Sequence, residues 1–271
     1  MDVHGRGTSA PSSRLMNAAP PAFAPPRGPH AYASVEIRME HALARIQQAR
    51  TAGRRTTVTH LVAKAAADAL ARFPDANVLK RGCRVYRRET VTVCVLVVQP
   101  EQAARVDLTT ATVANADRLS LASFSEQLEA QVARVRARRD AVIERGKRRA
   151  SRVPPLLLRP ALRLLGFVWY TLNLDLAFLG MPRDPFGALT VTSVGSLGLE
   201  RAYVPLVPYT RQCWMLAPGA VREEPVVTDA GEIRPGRCLT LTATFDARLI
   251  SPQLAGALLG AVREALESPS A

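Results

Sequence analysis

The stretch "TATFDARLISPQ", residues 242–253, sets the frame for reading this chain. A strand-like run over residues 239–245 closes on Asp246, Ala247 and Arg248, and a helix-like run over 252–266 follows at once. A strand-to-helix junction is a place where a fold can hold a reactive side chain. At its centre stands Ala247, whose methyl group can neither take nor give a proton. Either a working group has been lost here, or there never was one.

Outward from this junction the pattern is strands, then helices. "GALTVTSVG" (187–195), "CWMLAPGAV" (213–221) and "CLTLTATF" (238–245) read as strands, with the Pro-rich "YVPLVPYT" and the turn "DAGE" between them. Near the other end "AYASVEI" (31–37) alternates like a half-buried strand. Residues 38–50 predict a helix with Met39, Leu43 and Ile46 on one side. Residues 57–73 predict a second, alanine-rich helix, capped by Thr57 or Thr59 and stopped by Pro74. "RVYRR" and "VTVCVLVV" follow as strands, the second apolar enough to be buried on both faces. Residues 119–145 form an amphipathic helical pattern through Leu121, Phe124, Leu128, Val132 and Val135.

At 271 residues, 48% of them hydrophobic, the chain can bury a sizeable core. Aromatics make up only 5%, so that core is aliphatic. The net charge of +13 suits anionic partners, although a solvated basic surface explains much of it. Nucleic acid is disfavoured because the basic stretch 134–152 carries no aromatic residue to stack on bases. The four cysteines, Cys83, Cys94, Cys213 and Cys238, show no metal-binding spacing, so no metal is expected. A reducing, cytoplasmic compartment is expected, with no signal peptide.

Residues 1–29 read as an Ala/Pro-rich tail, and 30–271 as one domain with an apolar helical insert at about 153–180. Arg159, Arg163 and Asp175 interrupt that insert, leaving residues 164–174 as the longest uncharged run. This is too short for a span of ~20 residues. Helices covering a core or an oligomer face are the favoured reading, and an interfacial membrane anchor is the other.

Several pieces, in order, resemble the catalytic domain of the dihydrolipoyl acyltransferases of 2-oxoacid dehydrogenase complexes. They are "PHAYASVEI", "TVTHLVAKAAADALARFPDAN", "GALTVTSVGSLG", "VVTDAGEIRPGRCLTLTATFDAR" and "ALESP". The resemblance implies a chloramphenicol acetyltransferase-like fold of the α/β (α+β two-layer) class, a mixed sheet covered by helices. It also implies a homotrimer with a channel between neighbouring subunits, which coenzyme A or acyl-CoA enters from one side and an acceptor thiol from the other. Residues 1–29 leave no room for a lipoyl domain, so a stand-alone form is expected.

Acyl transfer between thiols needs a base for the attacking thiol and a donor for the tetrahedral oxyanion. In the family an Asp-His-Arg-x-x-Asp-Gly motif carries the base. Aligned on "FDAR", the resemblance puts Asp246 and Arg248 on its first acid and arginine, Ala247 on the histidine base, Ser251 on the orienting acid, and Pro252 on the glycine. Thr192 takes the place of the oxyanion donor, and a packing role for it weighs equally. Asp246 and Arg248 read as a structural ion pair. Of the four histidines, His4 lies in the tail and His30 matches a first-strand family histidine that reads as structural. His41 and His60 fall on helix starts, where exposure or capping is the default.

Three functions follow from this. The first is an acyltransferase that is impaired or inactive, with acyl-CoA or a partner subunit such as an active homologue still bound. The second is an active enzyme with a substitute base, and the third is a membrane-surface or partner-binding protein acting through residues 134–180.

Overall fold

The computed structural model describes residues 28–81, 83–100, 106–137, 157, 160, 161, 164, 167, 168, 184, 186–207, 210–228 and 230–269. Residues 1–27 of the expected tail and nearly all of the expected 153–180 insert lie outside these.

A six-stranded mixed sheet runs β1-β8-β7-β6-β4-β5. Its strands are β1 (His30–Arg38), β4 (Val93–Pro100), β5 (Val106–Val113), β6 (Leu189–Val191), β7 (Trp214–Val227) and β8 (Ile233–Asp246). The β4–β6 and β6–β7 pairs are parallel, the others antiparallel. A separate hairpin joins β2 (Val78–Arg81) to β3 (Arg84–Arg87).

Among the described residues four helices cover one face: α1 (Glu40–Thr51), α2 (Val58–Arg72), α3 (Leu121–Arg136) and α4 (Pro252–Glu267). Three of them start with a side-chain cap, whereas α1 starts at Met39 without one. The Thr57 hydroxyl accepts the His60 backbone N–H at 3.4 Å, Ser120 accepts that of Ser123 at 3.2 Å, and Ser251 that of Leu254 at 3.3 Å. Buried Ala63, Ala66, Ala67 and Ala69 let α2 lie close to its neighbours. With Ile37, Leu216, Leu241, Phe245, Phe124 and Leu258 they form the core, and Trp214 stacks on Phe245 at 5.7 Å between ring centroids.

The alternation of β8 separates the two faces of the sheet. Leu239, Leu241, Ala243 and Phe245 pack into this core, while Thr240, Thr242, Thr244 and Asp246 alternate with them on the opposite face. That second face is also covered. Residues 199–207 cross it, where the Thr242 hydroxyl donates to Ala202 O at 2.6 Å and Arg201 pairs with Glu36 at 2.8 Å.

The predicted strands and helices are present, but β7 and β8 extend well beyond the expected 213–221 and 238–245, and of the expected helix 119–145 the part at 138–145 lies outside the described residues. Val93, Cys94 and Val95 are buried in succession, as expected of a strand covered on both faces. One strand is far shorter than the pattern suggested. From "GALTVTSVG" only Leu189–Val191 is a regular strand. Gly187, at φ +63°, precedes it, and a Cβ there would lie 2.2 Å from Thr92 O. After Val191 the chain holds β7 through Thr192 N–H to Leu216 O at 2.9 Å and Val194 N–H to Pro218 O at 3.2 Å. It then turns over at Gly195–Leu197, where a Cβ on Gly195 would lie 2.3 Å from Gly219 O.

Candidate acyl-transfer site

At the end of β8 the Asp246 carboxylate is nearly buried and fully engaged. Arg248 Nε donates to its Oδ1 at 2.8 Å, Nη2 to Oδ2 at 2.6 Å, and the Arg248 backbone N–H to Oδ1 at 3.1 Å. Burial pushes the Asp246 pKa up, but the Arg248 hydrogen bonds and charge outweigh it, with a smaller pull from His30. The carboxyl is held below its ordinary range. The pair is bidentate, and it turns the chain sharply toward α4. It has the geometry of a strut, as the sequence suggested.

Ala247 stands exposed between these two residues, and its backbone N–H donates to Pro29 O at 3.0 Å. Gly28 lies against the same strut, since a Cβ on it would meet the Arg248 guanidinium at 2.5 Å. Ser251 lies at the start of α4, where its hydroxyl caps the helix.

Thr192 is half-buried at the end of β6. The pairing of Val191 with Leu216 and of Ala217 with Thr242 sets Thr192 level with Thr242, two strands away. Its side chain therefore shares the face of Thr242, Asp246 and His30. Two strand spacings across and four residues along β8 separate Thr192 from Asp246 by roughly 16 Å, at ~4.8 Å per strand and ~3.3 Å per residue. Within one chain the two cannot contact a common reacting atom, which needs each group at about 3 Å.

His30 pairs with Asp246 across β1 and β8 and is half-buried. Its ring meets Tyr32 edge-on at 6.3 Å between centroids, and Tyr32 meets Tyr203 at 5.6 Å. His41 is exposed on α1, as expected. His60 is not: it is 4% exposed, with Nε2 3.3 Å from Glu129 Oε1 on α3. Burial pushes its pKa down, opposed by Glu129. The helix-start reading holds for its backbone, but the packing of α3 on α2, invisible to a local pattern, buries the ring. Burial also pushes the Cys94 thiol up to about 12 and raises that of Cys213, so neither is a ready nucleophile.

Two surface concavities accompany this arrangement. One of about 360 Å³ is lined by Glu223, Pro225, Ile233 and Pro235, the other of about 520 Å³ by Gly260, Arg263 and Glu267. Neither is lined by Thr192 or by the Asp246–Arg248 pair. Among the described residues no group of three or more His, Cys, Asp or Glu side chains is placed to hold a metal ion, and no helix is long and apolar enough to cross a membrane.

A strand-end ion pair, a helix-start turn and, two strands away, a threonine at the end of β6 stand where the sequence resemblance put the site residues. The family model for the 2-oxoacid dehydrogenases acyltransferase (catalytic domain) matches residues 25–144 and 186–271, and the chain belongs to that family. Residues 1–24 and 145–185 are left unmatched, and the second stretch contains the expected insert.

Solved structures agree on the fold. A probable dihydrolipoamide acetyltransferase from Listeria monocytogenes superposes with a TM-score of 0.70 at 18% identity, over 98% of this chain and 96% of that one. The cubic core of a pyruvate dehydrogenase multienzyme complex gives 0.69 at 18%, over 98% and 93%. The Azotobacter vinelandii dihydrolipoamide acetyltransferase gives 0.67 at 19%, over 97% and 93%. For that enzyme, a serine, a histidine and an asparagine have been investigated for their role in the catalytic mechanism. No curated protein matches the sequence.

Proposed function

We propose that this protein is a CoA-dependent acyltransferase of the 2-oxoacid dehydrogenase type, acting as a homotrimer, in which transfer between thiols is impaired because Ala247 occupies the place of the family's base. The observation that carries this is the turn itself. The Asp246–Arg248 strut is intact and bidentate, while the residue it would present has a methyl group only. The Azotobacter enzyme lends support, since the histidine and the asparagine investigated there are four positions apart, as are Ala247 and Ser251.

The trimer draws support from distance. Thr192 and the Ala247 turn share one sheet face yet lie roughly 16 Å apart in a single chain, by strand spacing and rise. A site using both needs Thr192 from one protomer and the turn from another. The neighbour that forms a cubic core shows that relatives of this fold assemble.

The cost of Ala247 is bounded. A general base contributes ~10²–10⁴-fold, whereas a thiol of pKa ~8.5 is already a few per cent ionised near neutrality. Thiol acylation thus survives weakly on positioning and on Thr192. The free cysteines fit a reducing, cytoplasmic setting.

The test is transfer from acetyl-CoA to dihydrolipoamide by the purified full chain, compared with its Ala247→His, Ser251→Asp variant. The expected result is slow transfer by the wild type and a marked gain in the variant. Equal rates would overturn the assignment of Ala247 as the missing base.

A further inference from the structure

We infer that His30 supplies the proton acceptor that position 247 lacks, a role resting on the acyltransferase function proposed above. The backbone pattern fixes how close the two positions are. Ala247 N–H donates to Pro29 O, just before β1, whereas Asp246 N–H points the other way, to Cys213 O at 3.0 Å. His30 and Asp246 are therefore a pair without mutual hydrogen bonds, the class in which opposed Cα atoms lie only ~4.5 Å apart and side chains are closest. The imidazole thus stands one cross-strand step from the residue that precedes Ala247.

Three features suit this ring to accept a proton from a substrate. It is half-buried, so it is neither sealed in the core nor free in solvent. It is held edge-on against Tyr32, which is itself braced by Tyr203. It shares its sheet face with Thr192, the donor candidate.

Among the described residues, the charged and titratable groups near it are Asp246 with its partner Arg248 at the end of β8 and Tyr32 on its own strand. Arg248 donates to both Asp246 oxygens, and among the described residues no hydrogen bond engages the His30 ring nitrogens. Of the other described histidines, His41 is exposed on α1 and His60 is buried against Glu129.

The step balances without a further reagent. The acceptor thiol gives its proton to the imidazole, and its sulfur attacks the acyl carbonyl carbon. The resulting oxyanion collapses with cleavage of the C–S bond to CoA, and the departing CoA thiolate takes the proton back from the imidazolium.

The experiment uses the full chain with acetyl-CoA and dihydrolipoamide, with thermal unfolding as the check on folding. His30→Ala is expected to lower the turnover number about tenfold or more, and added imidazole to restore it. Ala247→His on that background is expected to restore it as well. His30→Gln, which preserves bulk and leaves no space, is expected to lose the rate without imidazole rescue. An unchanged rate in His30→Ala, or a loss that neither imidazole nor Ala247→His repairs in a folded protein, overturns the role. If the wild type transfers nothing above the uncatalysed reaction while the Ala247→His, Ser251→Asp variant does, His30 is excluded and the impaired-site reading stands. If neither protein transfers or binds acetyl-CoA, both fall.

Discussion

At the end of β6 Thr192 keeps a hydroxyl where the family resemblance puts the oxyanion donor. At the end of β8 the matching turn keeps Asp246 and Arg248 but has an alanine between them and a serine at 251. The two ends differ in how far they match the family's motif. What survives in the β8 turn also holds the fold: the bidentate pair shapes the chain, and Ser251 caps α4. On the function proposed above, what the turn lacks at Ala247 is the group whose role would be chemical alone, while the residues that shape the chain are present.

The contrast can be broken most forcefully by putting the chemistry back. Ala247→His with Ser251→Asp should raise thiol acyl transfer by ~10²-fold or more, read as acetyl transfer to dihydrolipoamide. Aspartate is itself a good N-cap, so α4 should keep its start. No gain would mean that this turn does not face the reacting atoms.

Next in size is the other end. Thr192→Val removes the hydroxyl and keeps the β-branched shape, and should lower the remaining transfer by about 10–10²-fold, somewhat below the loss seen when a dedicated oxyanion donor is removed. Thr192→Ser should retain most of it. An unchanged rate in the valine variant would leave Thr192 as a packing residue.

The strut is tested by stability. Arg248→Ala leaves a nearly buried carboxylate without its partner and should cost about 1–2 kcal/mol in urea unfolding, a figure reduced because the arginine is partly exposed. Its pH dependence has a definite sign. The folded-state pKa of Asp246 is depressed, so its stabilisation is present above the unfolded value of ~3.9 and is lost as the pH falls through the lower folded value. Acid titration of the wild type should show that loss, and Arg248→Ala should show it weakened. The smallest effect belongs to Ser251→Ala, which should cost about 1 kcal/mol of stability through the lost cap.

Local pattern was enough to read β1, α2 and the β8-to-α4 junction, because each carries its own signal in alternation, capping residues or a proline stop. It was also enough to read Asp246 and Arg248 as a pair, since they lie two residues apart. The polar "VDLTTATV" of β5 gave no such signal, and that strand exists because β4 pairs with it along its length. Nor did the sequence show that β6 would stop after Val191, which depends on the close approach of the backbone at Gly219. The fate of the histidines was settled by partners far along the chain, Glu129 for His60 and Asp246 for His30. Composition around either residue carries no trace of those partners.

The pairing of β1 with β8 bears on how this protein is made. Among the described residues the first strand joins the sheet only through a partner that ends at Asp246. During synthesis, β1 must wait until almost the whole chain has left the ribosome before its backbone groups and Ile37 find their places. A nascent chain of this kind has a long window in which an unpaired strand is open to chaperones, or to the wrong neighbour.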